Sequence, residues 1–406
     1  MNNKKTASPK LRFAEFANRG EVSFKNGDVL FKAISDKDHN CDLPVLAITQ
    51  EQGAIPREMI DYHVFVTDKS LESYKKVEVG DFIISLRSFQ GGIEYSSYQG
   101  ICSPAYIILR KKENIVNEYY KHYFKSQRFI QDLNRNLEGI RDGKMVTFEQ
   151  FAQILIPKPD SDEQQKIADC LESIDGLIGA ENNKLNALQK HKNGLMQKFF
   201  PLCEESLPEL RFKEFFDKKI AFKKGDELFD SISNKDHKCN LPVLAISQKH
   251  GAIPREQIDY NVFVTDKSLE SYKVVEIGDF IISLRSFQGG IEYSVYRGIC
   301  SPAYIILRKK IDINDQYFKY YFKTQKFIGD LNKNLEGIRD GKIVSYNQFS
   351  DLLIPVPDPK EQKKIADCLC SVDELIKAQT MKIESLQNHK KGLLQQLFPS
   401  LEEVIK

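Results

Sequence analysis

The chain has 406 residues, 41% of them hydrophobic and 29% charged, with 59 Lys and Arg against 57 Asp and Glu. This length and composition describe two or three ordinary globular domains. The near balance of charge excludes attachment to nucleic acid by bulk positive charge, while leaving room for a local basic patch.

In chain order, residues 1–10 (MNNKKTASPK) are polar and lack the apolar stretch of a secretory signal, so they read as a flexible tail. No apolar run reaches the roughly 18–20 residues of a membrane span, and a cytoplasmic protein without membrane association is expected. Residues 11–159 read as one α+β domain. Strand-like runs at 44–48, 82–86, 93–98 and 105–109 are rich in Ile, Val, Phe and Tyr and bounded by Gly, Pro or Asp. Residues 118–137, with Tyr119, Tyr120, Phe124, Phe129, Ile130 and Leu133, read as a single amphipathic helix. A short strand at 154–156 closes the domain before Pro157 and Pro159.

Residues 160–200 read as one long helix, opened by Asp160, Ser161, Asp162 and Glu163. Ile167, Leu171, Ile174, Ile178, Leu185, Leu188, Leu195 and Phe199 follow the 4-3 spacing of a coiled-coil seam. Gln164, Lys166 and Asp169 are assigned to its polar face. The segment 201–209, polar and bounded by Pro201 and Pro208, suits a linker.

The pattern then begins again. Leu210, Arg211 and Phe212 repeat Leu11, Arg12 and Phe13, opening a second α+β domain over 210–357. Residues 43–110 and 241–308 agree at roughly six positions in seven, far above chance for an internal repeat. A second long helix over 358–399 starts with Asp358 as N-cap and Pro359 at its first position. Its seam is Ile365, Leu369, Val372, Ile376, Ile383, Leu386, Leu393 and Leu397. Polar interruptions match between the helices: Glu181 with Gln379, and Lys192 with Lys390. Residues 400–406 form a tail. Each seam needs a partner stripe, and the other helix supplies one.

Cys41, Cys102 and Cys170 recur as Cys239, Cys300 and Cys368, while Cys203 and Cys370 stand alone. Without a CxxC pair or a His at ligand spacing, buried reduced thiols are expected and no metal site.

The helices carrying EQQKIADCLESIDGLI…LQKHKNGLMQKFF and EQKKIADCLCSVDELI…LQNHKKGLLQQLF, alternating with α+β domains from Leu11 to Phe398, resemble the specificity subunit of type I restriction–modification systems. The resemblance implies two target-recognition domains, each reading half of a bipartite DNA site. It also implies that the two long helices pair as an intrachain antiparallel coiled coil, giving pseudo-twofold symmetry. The implied partners are double-stranded DNA, two methyltransferase subunits and two restriction subunits. S-adenosylmethionine, ATP and Mg would then belong to those partners, with no cofactor in this chain. In the family the two recognition domains normally diverge; here they hardly do.

Base readout calls for Arg, Lys, Asn, Gln and Ser on loops at strand ends. One candidate loop holds Arg87, Ser88 and Gln90 before two glycines, repeated as Arg285, Ser286 and Gln288. Another holds Gln50 and Arg57, repeated as Gln248 and Arg255. A third, with Arg141 and Lys144, repeated as Arg339 and Lys342, reads as a phosphate clamp. The competing reading of the first loop is a hairpin turn whose Arg pairs with a nearby carboxylate. Within these loops the copies differ mainly where Glu51 and Gln52 become Lys249 and His250. Ser97 and Gln99 likewise become Val295 and Arg297.

Catalysis finds little footing. Cys102-Ser103-Pro104-Ala105-Tyr106 resembles an amino-methyltransferase loop, but Ala105 replaces its second Pro and no glycine-rich cofactor turn precedes it. No phosphate-binding GxxxxGK[ST] string occurs. A non-catalytic reader is therefore expected, with a protein-interaction scaffold, or the specificity subunit of a related two-component methylase–nuclease system, as the alternatives. Near-identical readers imply like half-sites on opposite strands, an interrupted palindrome.

Overall fold

A computed structural model of the chain describes residues 5–39, 43–60, 71–135, 146–203, 206–237, 240–248, 250–257, 269–333 and 344–401. The chain divides into two compact units, Met1–Asn182 with Met381–Lys406, and Asn183–Thr380. Each holds one α+β domain and part of both long helices.

In the first unit, β1 (Thr6–Ala7), β2 (Val22–Asn26) and β11 (Leu155–Lys158) form a three-stranded antiparallel sheet in the order β1-β2-β11. The tail expectation is corrected here. Ala7 is buried, Thr6 pairs with Ser23, and the Phe24 N–H donates to the Lys5 carbonyl. An unpaired edge of β2 offers backbone groups that residues 5–7 satisfy.

The main sheet runs β3 (Phe31–Ile34), β10 (Ile107–Lys111), β7 (Phe82–Ile84), β8 (Glu94–Tyr95), all antiparallel. Its central strands are apolar on both faces because it divides two cores. Phe82, Ile84 and Leu109 point into a large aromatic core with Phe31, Tyr120, Phe124, Phe129 and Phe151. Ile83 and Ile108 point the other way, into a small core with Leu46, Ala54, Val77 and Cys102. Two-sided burial explains why these strands read as continuous hydrophobic runs. The small core carries two antiparallel pairs, the hairpin of β4 (Leu46–Thr49) and β5 (Gly53–Pro56), and β6 (Lys75–Val77) with β9 (Gly100–Cys102).

The expected single helix over 118–137 is two, α3 (Asn117–Tyr123) and α4 (Gln127–Arg135). The break falls at Ser126, whose hydroxyl accepts from the Phe129 N–H and so restarts a helix. Strand β10 begins at Ile107 because residues 103–106 turn, with the Tyr106 N–H donating to the Ser103 carbonyl.

The first long helix, α6, spans Ser161–Phe199. One of its residues corrects the polar-face assignment. Gln164 is fully buried: its amide donates to the Pro159 carbonyl and accepts from the Val116 N–H. Glu163, also buried, receives Nε and Nη2 of Arg12 at 2.8 Å each. The LRF segment at the start of the domain and the EQ pair at the start of the helix are thus two halves of one latch. Ile167, Ala168 and Leu171 continue into the large core.

The second unit repeats this plan. Its main sheet is β13 (Phe229–Ile232), β20 (Ile305–Lys309), β17 (Phe280–Ile282) and β18 (Glu292–Tyr293). Arg211 and Glu361 form its latch, with Nε and Nη2 at 2.6 and 2.8 Å from the carboxylate. The second long helix, α12 (Pro359–Leu397), opens as expected on Asp358, whose carboxylate accepts from the Lys360 N–H. Here β12 (Ala221–Lys224) pairs only with β21 (Leu353–Val356), without a counterpart of β1 among the described residues.

Within each unit the long helices pair antiparallel. In the first, Asp175 meets Lys390 and Glu181 meets Lys382, so the partner runs back as α6 advances. In the second, Lys192 meets Asp373 at 2.7 Å. The seam residues are buried or half-buried and their flanks exposed, and the polar seam positions Glu181 and Gln379 are buried. Cys102 and Cys300 are buried thiols, their pKa pushed up to about 12 by desolvation, but Cys203 is exposed, against expectation. Cys41 and Cys239 lie outside the described residues.

Candidate nucleic-acid interface

Strand β7 ends at Ile84, and the chain turns through Ser85, Leu86 and Arg87 into α2 (Ser88–Gly91). The turn is built from within. Ser88 is buried, and its hydroxyl accepts from the Ser85 N–H at 2.9 Å, while the Ser85 hydroxyl accepts from the Arg87 N–H. Ser286 does the same, with the Ser283 N–H at 2.8 Å. By sequence both serines belong among the DNA-facing residues; buried, they shape the turn instead, because buried hydroxyls take the nearest backbone donors.

Gly92 ends α2 at φ +81°, and a Cβ there would lie 2.0 Å from the Phe124 carbonyl oxygen. Only glycine satisfies both the left-handed backbone and the close approach. Asn134 then pins the turn, its amide donating to the Phe89 carbonyl at 2.8 Å; Asn332 repeats this at 2.7 Å to Phe287. The result is an anchored platform from which Arg87 and Gln90 are exposed.

The β4–β5 connection lies alongside. Gln50 donates to the Arg87 carbonyl at 3.3 Å, and Gln248 to the Arg285 carbonyl at 3.1 Å. A Cβ on Gly91 would collide with Gln50 at 2.7 Å, so this glycine gives the glutamine its seat. Together these elements line a cleft of about 680 Å³ with Gln50, Arg57, Arg87, Glu51, Gln52 and Tyr106 on its walls. Arg57 and Arg87 both lie close enough to Tyr106 to act on its hydroxyl electrostatically, as Arg255 and Arg285 do on Tyr304. Burial raises the pKa of both tyrosines, which remain neutral hydrogen-bonding groups at physiological pH.

The two sequence-separated loops with Gln50, Arg57 and Arg87 therefore meet in one place. The hairpin reading, with Arg87 tied to a carboxylate, does not hold among the described residues. Neither the Arg87 nor the Arg285 guanidinium forms an ion pair with a described carboxylate, while Asp81 and Asp279, at the other end of the strand, are held by Arg110 and Arg308 through two hydrogen bonds each of 2.7–2.8 Å. Arg141, Lys144, Arg339 and Lys342 lie outside the described residues. Of the positions that differ between copies, Glu51 and Gln52 are on the cleft, whereas Gln99 and Arg297 bond Glu78 and Glu276 away from its lining. Sequence reasoning missed Tyr106 and Leu86. The aromatic of the Ser-Pro-Ala-Tyr string was the available signal for the first; nothing marked the second.

Chemically, the cleft can donate from two guanidinium groups and from amides, and accept at amide and carboxylate oxygens. It suits planar, polar edges with fixed donor and acceptor patterns. Among the described residues, no group of three or more His, Cys, Asp or Glu is arranged to hold a metal ion.

The chain matches the profile of the type I restriction modification DNA specificity domain twice, over residues 15–190 and 209–388. It belongs to that family. Similar curated proteins include two from Methanocaldococcus jannaschii. The type I restriction enzyme MjaVIII specificity subunit is 26% identical over 352 residues, 79% of each chain. The putative MjaX specificity subunit is 24% identical over 309 residues, covering 72% of this chain and 70% of that one. The fold of this specificity subunit is also that of the S subunit of a type I system from M. genitalium, at TM-score 0.55 and 16% identity, with 97% of this chain and 100% of that one covered. A chain from a study of assembly and conformational transition in a type I R-M system gives the same score and identity, with 93% and 94% covered. The chain is thus a DNA specificity subunit of a type I restriction–modification system, built on two repeated domains and long helices.

Proposed function

We propose that each cleft reads one half of a bipartite DNA site, that the two halves are inverted repeats, and that the chain itself is non-catalytic. The observation that carries this is the duplicated construction: Gln50, Arg87 and Gln90 recur as Gln248, Arg285 and Gln288 on turns braced by the same hydrogen bonds, and Arg57 recurs as Arg255 beside them. Exposed Arg and Gln on anchored turns match base edges in the major groove. Arg141, Lys144, Arg339 and Lys342 are assigned to the phosphates, where basic groups fix position without reading sequence. Like readers on one chain favour like half-sites on opposite strands.

In this reading two methyltransferase subunits dock on the chain and bring S-adenosylmethionine, and two restriction subunits bring ATP and Mg. The work is cytoplasmic, where the DNA is; no helix among the described residues is long and apolar enough to cross a membrane. Mapping methylated adenines across the genome in cells with and without this chain tests the proposal. The expected motif has two matching halves around a spacer and vanishes without the chain. A motif with unrelated halves would sink the palindrome, and an unchanged methylome would sink the reader.

A further inference from the structure

Behind the platform, in the break between α3 and α4, sits Lys125. Its ammonium donates to three acceptors from two segments: the Gln50 carbonyl at 3.2 Å, and, three residues apart, the Gly91 carbonyl at 3.0 Å and Glu94 Oε1 at 2.6 Å. Three N–H groups meet three oxygens, which saturates the ammonium. Glu94 is 1% exposed, and its second oxygen has no hydrogen-bond partner. In the second unit Lys323 donates to the Gly289 carbonyl at 2.9 Å and to Glu292, which is 2% exposed.

As a stabilising device this pair is poor. With the lysine 30% exposed and one oxygen of the buried carboxylate orphaned, the pair offsets little more than its own desolvation. What it supplies is geometry. Two of the acceptors are main-chain carbonyls of the two loops that form the cleft, so the lysine fixes the distance between those loops whatever side chains they carry. Base discrimination depends on placing donors to within a fraction of an ångström, whereas backbone attraction tolerates looser placement.

We propose that Lys125 and Glu94 are positioning residues for DNA readout in the first unit and set sequence discrimination rather than affinity, whereas Lys323, bonded among the described residues only to the Gly289 carbonyl and Glu292, does not join the two loops of its unit. The inference rests on the cleft being the DNA-reading surface. The test uses the full chain assembled with its methyltransferase subunits. Methylation rates are compared on duplexes carrying the cognate site, a base change in one half, or the same change in both.

Lys125→Met is expected to lower discrimination against the one-half variant roughly tenfold, the size of losing one good base contact, because the loosened unit can take the altered half. Rejection of the two-half variant persists, because the second unit keeps its own reader. Lys125→Arg, which keeps the donors, restores discrimination. If Lys125→Met lowers the melting temperature, Glu94→Gln carries the test, since it keeps the shape and one acceptor while removing the charge. Equal rate losses on all three duplexes, or unchanged discrimination in folded variants, would overturn the proposal. A wild-type complex indifferent to all three duplexes would instead remove the DNA-reading assignment beneath it.

Discussion

His122 and Tyr320 occupy the same place in the two copies and differ in chemistry. His122, on α3, is buried, 3.9 Å from the Asp175 carboxylate, with its Nε2 lacking a hydrogen-bond partner. Desolvation, helped by Lys390 and Lys121 and opposed by Asp175, lowers its pKa from 6.5 to about 4. Tyr320 instead donates to Asp373 at 2.7 Å, with Lys192 over its ring. A base whose native pKa is depressed binds protons more readily in the unfolded chain. Its contribution is therefore intact above pH 6.5 and is lost as the pH falls toward 4, by about 3 kcal/mol at most. Stability of the first unit should fall over that window. His122→Tyr should flatten the profile, because the second copy already accommodates tyrosine beside the same Asp and Lys. Denaturant melts at pH 4.5 and 7 check this; a persistent drop in the variant would assign the acid sensitivity elsewhere.

Among the elements, the long helices are fastened to their domains by single buried ion pairs. Arg211 and Glu361 are the more enclosed of the two latches, with side chains 4% and 1% exposed, against 13% and 1% for Arg12 and Glu163. Arg211→Met leaves Glu361 charged, buried and unpaired, a change that costs about 3–5 kcal/mol. Chemical denaturation should show that loss in the transition of the second unit, with the first unit's transition unmoved. A loss below about 1 kcal/mol, the range of a solvent-exposed pair, would show that the latch is not a buried one in solution.

The whole molecule asks whether two nearly equal readers see equal sequences. Glu51 and Gln52 line the first cleft, and the second copy carries Lys249 and His250 at those positions. If the proposed reading surface is this cleft, reversing a charge on its wall exchanges an acceptor for a donor and switches the preferred base edge. Exchanging Glu51 and Gln52 for Lys and His together should therefore make the halves of the methylation motif converge wherever they differ. Methylome sequencing reads this directly, and an unchanged first half-site would clear these two residues of any role in specificity.

How much of this was legible beforehand follows from where each property resides. The duplication, the α+β character, the capped starts of the long helices and their seams are local or periodic, and a periodic pattern is written in the sequence itself. The resemblance carried by the paired EQ…KIA helices added the family. Charge signs and glycine positions marked the loops that meet at the cleft. The sequence alone could not say which polar residues turn inward. Gln164 and Glu163 look like a helix's wet face until Val116 and Arg12 are brought against them, and Ser88 looks like a reader until Ser85 claims its hydroxyl. The split of 118–137 into two helices likewise depended on Ser126 finding the Phe129 N–H. Burial and hydrogen-bond partners are properties of segments distant in the chain, so only the tertiary structure decided them. It also revealed Lys125, which joins Gln50 to the stretch from Gly91 to Glu94, two segments that the sequence keeps apart.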